Sequence, residues 1–172
     1  MSIFDISNFE RQGNTENDQL FSNLNEIEDA TVELASNALR SIYIFTPDLQ
    51  RDIYDNDRFR EALIKFARGN RHAQIKILLA DSSSAVHHGH RIIRLSQQLT
   101  SAMQIRTTPE DYRETHMSFI MADQTDFIFK PDYTASDAIY AHCKHRGNKL
   151  MEFFTPAWDQ AEIDPQTRRI SL

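Results

Sequence analysis

The chain has 172 residues, 40% hydrophobic and 26% charged, which suits one soluble globular domain with a modest core. No uninterrupted apolar run exceeds four residues, and the start, MSIFDISNFERQ, has neither a basic n-region nor an apolar h-region. Neither a membrane-spanning helix nor a secretory signal is therefore expected. One cysteine, Cys143, rules out a disulfide scaffold, a zinc ribbon or CxxC chemistry within one chain and points to a reducing cytoplasm.

Four scattered glycines (Gly13, Gly69, Gly89 and Gly147) cannot build a clustered phosphate loop, and no GxSxG elbow is present. The net charge of −6 is concentrated in residues 1–33, which hold eight acids against one base. The rest of the chain is near neutral, so tight nonspecific binding to duplex DNA is not expected.

Residues 1–17 read as a polar, aperiodic flexible arm, and 18–172 as an α/β domain. From Asp18 to Arg40, Leu20, Leu24, Ile27, Thr31, Leu34 and Ala38 recur at helical spacing. Ser41 to Thr46 is a β-branched and aromatic strand stopped by Pro47. Asp57 caps a helix whose stripe is Phe59, Ala62, Leu63, Phe66 and Ala67, ended by Gly69. Gln74 to Leu79 is the next strand. A third helix follows the serines Ser82 to Ser84 and runs to about Ser101, and Gln104 to Thr107 is a short strand. Strands at His116–Ala122 and Asp126–Lys130, a further one at Ala138–Cys143, and a helix from Asn148 interrupted at Pro156 complete the chain. Right-handed crossovers make the first strands parallel. The expected fold is a single α/β domain with a mixed β-sheet flanked by helices.

Ligands gather beyond the carboxyl ends of parallel strands. There the sequence places Thr46 and Asp48, then Asp81 with its serines, and the run His87-His88-Gly89-His90-Arg91. Serine hydroxyls and an arginine at a helix start suit a phosphate or carboxylate; the same residues also serve as plain helix caps. His87 and His90 share a helical face with Asp81 in reach, yet no fourth ligand is fixed, so neither metal nor cofactor is expected. Cys143 lies between His142 and His145, but neighbours on a strand point apart, which argues against a thiol nucleophile.

His116-Met-Ser118-Phe-Ile-Met-Ala-Asp123 carries the most information. His116 and Ser118 share a strand face, and Asp123 falls at the turn. The spacing H-x-S-x-x-x-x-D resembles the H-x-K-x-x-x-x-D motif of the phospholipase D superfamily, with serine at the lysine position. The order of elements resembles one half of that fold over roughly residues 20–160, and Phe154-x-x-x-Trp158 is similar to a pattern that closes such halves. Thr46-Pro-Asp-Leu49, Leu79-x-Asp81, Gly89-His-Arg91, the Leu95–Ser101 run and Gln104-Ile-Arg106 resemble an uncharacterised bacterial domain family also found behind GNAT-type acetyltransferase domains.

The resemblance implies a nucleophilic histidine at His116, a phosphate-holding position at Ser118 and a supporting Asp123. Three departures bear on function. Ser118 has no charge, Lys130-Pro-Asp-Tyr133 replaces the family's Gly-(Ser/Thr)-x-Asn, and one motif is present where the chemistry uses two histidines. Arg91, Arg106 or Lys130 could stand in for the lysine, with Asp81 and His90 beside them. The expectation is a catalytically degenerate domain that binds a small phosphate-bearing ligand or acts as an interaction module. The alternative is a homodimeric phosphodiesterase or nuclease using His116 from each subunit.

Overall fold

The strand β2 (Ser41–Thr46) organises the sheet: all six of its residues are buried, as a central strand covered on both faces requires. A computed structural model of the chain describes residues 3–11 and 15–168. In it β2 runs parallel to β3 (Gln74–Leu79), and β3 runs parallel to β4 (Met103–Thr107). On its other side β2 is antiparallel to β5 (Ser118–Ala122), followed by β6 (Asp126–Lys130), β7 (Ala138–His142) and the short edge strand β1 (Gln19–Phe21). A two-residue strand, β8 (Glu162–Ile163), pairs with β4, giving an eight-stranded mixed sheet in the order β1-β7-β6-β5-β2-β3-β4-β8. The chain is thus a single α/β domain with a mixed sheet flanked by helices.

Alternation along the strands makes two cores. Ile42, Ile44, Ile75, Ile77, Ile120 and Ile128 face one side. There they meet α2 (Leu24–Asn37), α4 (Asp57–Gly69) and α6 (Arg91–Gln98), with the short α3 (Arg51–Tyr54) and α5 (Ser83–His87) between them. Tyr43, Phe45, Phe119, Met121, Phe127 and Phe129 face the other side, under α7 (Lys144–Gln160) and α1 (Ile6–Arg11). Among the described residues, no helix is long and apolar enough to cross a membrane.

Four sequence expectations need correction. Residues 3–11 of the expected arm are not a loose tail: α1 forms there, and Phe4 and Phe9 are buried against Phe129 and Phe153. The arm's residues 1–2 and 12–14 lie outside the described residues. The expected helix at 18–40 is a strand and then a helix. Asn23 Oδ1 accepts the Glu26 N–H while Glu26 accepts the Ser22 N–H, a reciprocal cap that starts α2 late. The third helix is broken into α5 and α6 at Gly89, whose φ of 64° is outside any helix. Last, α7 starts at Lys144 and runs through Pro156 unbroken. Burial of Ala157 and Trp158 beyond the proline outweighs the one backbone hydrogen bond it removes.

Candidate functional site

Three polar side chains lie in a row where three strands end or begin. Ser118, first in β5, pairs directly with Lys130, last in β6. Phe45 pairs with Phe119, so Thr46, the last residue of β2, is level with Ser118. All three share the face of Ile44, Ile120 and Ile128, and they sit at the carboxyl end of the parallel strand, where loops converge.

Thr46, Ser118 and Lys130 are 3%, 5% and 3% exposed. Neither the Thr46 nor the Ser118 hydroxyl makes a hydrogen bond to any described residue. Lys130 Nζ donates to Gln50 Oε1 at 3.0 Å and to the Tyr133 carbonyl at 2.9 Å, which leaves one of its three donors uncommitted. Burial pulls the Lys130 ammonium below its ordinary pKa, and the charges of Asp132, Asp48 and Asp137 pull it back up.

Around the row stand groups that titrate against one another. Asp48 leaves β2 two residues after Thr46. Part of its side chain meets solvent, yet the protein around it raises its carboxyl pKa. A backbone hydrogen bond and Lys130 oppose the rise, and Asp81 adds to it. His116, just before β5, is exposed, and its carbonyl accepts the Tyr133 N–H at 2.8 Å. That bond folds the 131–137 loop back over the strand ends. Asp132, in the same loop, is held below the usual carboxylate range by Thr134, with smaller contributions from His116 and Lys130. Ser118, Lys130 and Thr46 therefore form one row, with Asp48 and Asp132 near enough to act on or feel the Lys130 charge and the exposed His116 near enough to act on Asp132.

The other residues expected at the site have different employment. Asp81 is exposed and accepts the Ser83 N–H at 2.9 Å at the start of α5, close enough to Asp48 to raise its pKa. His90 is fully buried: its Nε2 bonds the Leu49 carbonyl at 3.0 Å and its Nδ1 accepts the Ile92 N–H at 3.1 Å. It caps α6 and has no ring nitrogen left for a ligand. Arg91 is tied to Asp55 at 3.1 Å and Asp57 at 3.0 Å.

Arg106 lies on the opposite face of the sheet, 4.4 Å over the Trp158 ring, and donates to the Trp158 carbonyl at 2.9 Å. Asp123 occupies the far end of β5, where its carboxylate accepts the backbone N–H groups of Leu39, Arg40 and Ser41 at 2.9, 2.7 and 3.1 Å. Of the three cations offered as substitutes for a lysine at 118, only Lys130 shares its face and pairs with it. Among the described residues no group of three His, Cys, Asp or Glu side chains is arranged to hold a metal.

Sequence reasoning missed Gln50, Tyr133 and Asp132. It also missed the pairing of Ser118 with Lys130, although a signal existed. Three turn residues separate Ala122 from Asp126, and counting outward from that hairpin brings 118 opposite 130.

A family model described as a domain of unknown function, DUF7931, matches residues 23–170. No curated protein matches the chain. Among solved structures, the phospholipase D family member Nuc from Salmonella typhimurium is similar with a TM-score of 0.61 and 14% identity, over 86% of this chain and 97% of that one. NucT from Helicobacter pylori has a TM-score of 0.60 at 9% identity, covering 86% of this chain and 99% of NucT. TrmBL2, an archaeal chromatin protein, has a TM-score of 0.62 at 17% identity; the match covers 90% of this chain but 57% of TrmBL2. At such identities the likeness is one of fold, and the fold is phospholipase D-like.

Proposed function

We propose, from the premise that the chain belongs to the DUF7931 family and has a phospholipase D-like fold, that Thr46, Ser118 and Lys130 bind a phosphate-bearing ligand without hydrolysing it. The observation that carries this reading is the buried row itself. Two hydroxyls, on residues more than nine-tenths buried and with no hydrogen bond to a described residue, stand beside an ammonium with a free donor. An anion's oxygens can accept from all three groups, and the bond from the Lys130 ammonium is charge-assisted. Lys130 supplies from the adjacent strand the charge that Ser118 lacks. His116, exposed and separated from β5 only by Met117, is offered as a further donor to the ligand.

Turnover is a different demand. In-line transfer at phosphorus needs a nucleophile, an acid for the leaving oxygen and donors fixed on the developing charge. This chain has one such motif, and Lys130-Pro-Asp-Tyr133 stands where the family's Gly-(Ser/Thr)-x-Asn is expected. Lys130 is also partly spent on Gln50 and Tyr133.

The test pairs binding with catalysis. Inorganic phosphate and a dialkyl phosphate should bind to the full chain saturably and lose affinity in Lys130→Met. An activated aryl phosphodiester should not be cleaved. The second reading, a homodimeric phosphodiesterase, draws on the exposure of His116; wild-type cleavage that disappears in His116→Ala would put it first.

A further inference from the structure

At the other end of β5 and β6, away from the Ser118–Lys130 row, α2 stands off the sheet and leaves a cavity of about 180 Å³. Its apolar surface comes from Phe21 on β1 and Leu34 on α2, both core residues. Its polar lining includes Glu33, Asp126 and Tyr140, with Gln19, Asn37 and Asp123. None of the described residues that line it is lysine or arginine.

The carboxylates differ in how far they are committed. Asp123, which also lines the cavity, already accepts three backbone N–H groups. Asp126 accepts the Tyr140 hydroxyl and His142 Nδ1, each at 2.9 Å, on one oxygen and the Thr125 hydroxyl, at 2.9 Å, on the other. Glu33 makes no hydrogen bond or ion pair with any described residue. The field inside is negative: the Tyr140 phenol is pushed up to about 12 by burial, its bond to Asp126 and the charges of Asp126 and Glu33.

We propose that this cavity binds a small primary amine, with its ammonium on Glu33 and its short apolar body against Phe21 and Leu34. A divalent metal fits poorly. Calcium and magnesium need six or more oxygens, and beside Glu33 the Asp123 and Asp126 carboxylates each have three of their four acceptor sites already taken. An organic ammonium needs one carboxylate, is attracted by an aromatic ring such as Tyr140, and gains from an apolar floor that a hydrated ion cannot use. The volume limits the guest to a few non-hydrogen atoms beyond the nitrogen. This inference is independent of the anion site, since the two lie at opposite ends of the same strands.

The experiment is an amide-resolved NMR titration of the full chain with n-butylammonium, with n-butanol and butyrate as neutral and anionic controls. Saturable shifts are expected at Leu34, Asn37 and Tyr140 with the ammonium alone. Glu33→Gln should weaken them on the order of tenfold, and Lys130→Met should leave them unchanged. Glu33 is exposed on its helix, so Glu33→Gln keeps the fold. The proposal is overturned by equal binding of n-butanol, by the absence of saturation at about 50 mM ligand, by an unaltered Glu33→Gln, or by calcium chloride saturating the same amides.

Discussion

Lys130 faces Ser118 directly across the antiparallel β5–β6 ladder, so charge and hydroxyl meet from two strands instead of lying two residues apart on one. Removing the ammonium in Lys130→Met should weaken phosphate binding by about tenfold or more, because a charge-assisted donor is lost from a buried position. The fold should survive, since a methionine fills similar volume without a charge to desolvate. Burial depresses the Lys130 pKa, so phosphate affinity should fall as pH rises, and at a lower pH than for an ordinary lysine. Calorimetric titration at several pH values checks both.

Restoring the family lysine should not restore the chemistry. Ser118→Lys would set two ammonium groups opposite each other in a buried row, and like charges at cross-strand positions are destabilising. We expect urea unfolding to show a loss of roughly 1–3 kcal/mol, with no aryl phosphodiester turnover. The double variant Ser118→Lys, Lys130→Ser should recover most of that stability, because it carries one charge again.

Asp123 is structural. With φ of 54° it turns its carboxylate back onto three consecutive backbone N–H groups at the entry to β2. Asp123→Ala leaves those donors to water and should cost about 2 kcal/mol or more in chemical denaturation. Phosphate affinity at the far end of the strand should not change, which separates this aspartate from Lys130.

The parts of the fold that were legible in the sequence are those with local signals. β2, β3 and β6 have the bounds expected of them, because Pro47, Asp81 and Pro131 punctuate β-branched and aromatic runs. β1 and β8, three and two residues long, exist through their pairing partners and carry no periodicity to read. At the site, His116, Ser118 and Lys130 stood out by residue type. Nothing local distinguished Lys130 from Arg106, which the sheet puts on the opposite face, or marked His90 as a buried cap. Face and register are tertiary facts, and only the hairpin between β5 and β6 had them written in its length.

Gly147 and Gly69 make a matched pair of tests. A Cβ at Gly147 would run into the carbonyl of Gln124, so α7 could not seat on the β5–β6 turn. Gly147→Ala should cost about 3 kcal/mol, the upper range of overpacking, because its neighbour is backbone and cannot swing away. At Gly69 a Cβ meets nothing within 4 Å, and the residue ends α4. Gly69→Ala should be neutral or stabilise by up to about 1 kcal/mol through the unfolded chain. Thermal unfolding of the two variants under identical conditions makes the comparison.

His90 gives the protein a weak flank on the acid side of neutrality. Its Nδ1 accepts the Ile92 N–H and its Nε2 donates to Leu49, which is a neutral tautomer; a second proton would set N–H against N–H. Burial lowers its pKa, although Asp55, 4.0 Å away, pulls the other way, and Arg51 and Arg91 add to the lowering. The unfolded chain therefore takes up this proton first. The stabilisation is fully present above the ordinary histidine pKa and declines as pH falls from there towards the depressed folded value. Asp55 acts in a separate, lower window. Burial raises its pKa, but hydrogen bonds from Arg91 and the charges of His90 and Arg91 bring it below the ordinary carboxylate value, so its contribution is lost only on stronger acidification. Urea midpoints measured from about pH 7.5 down to about pH 5 should fall in wild type and fall less in His90→Asn, which keeps a helix-capping side chain without the titrating ring. Parallel pH profiles for the two proteins would show that His90 is not the group responsible.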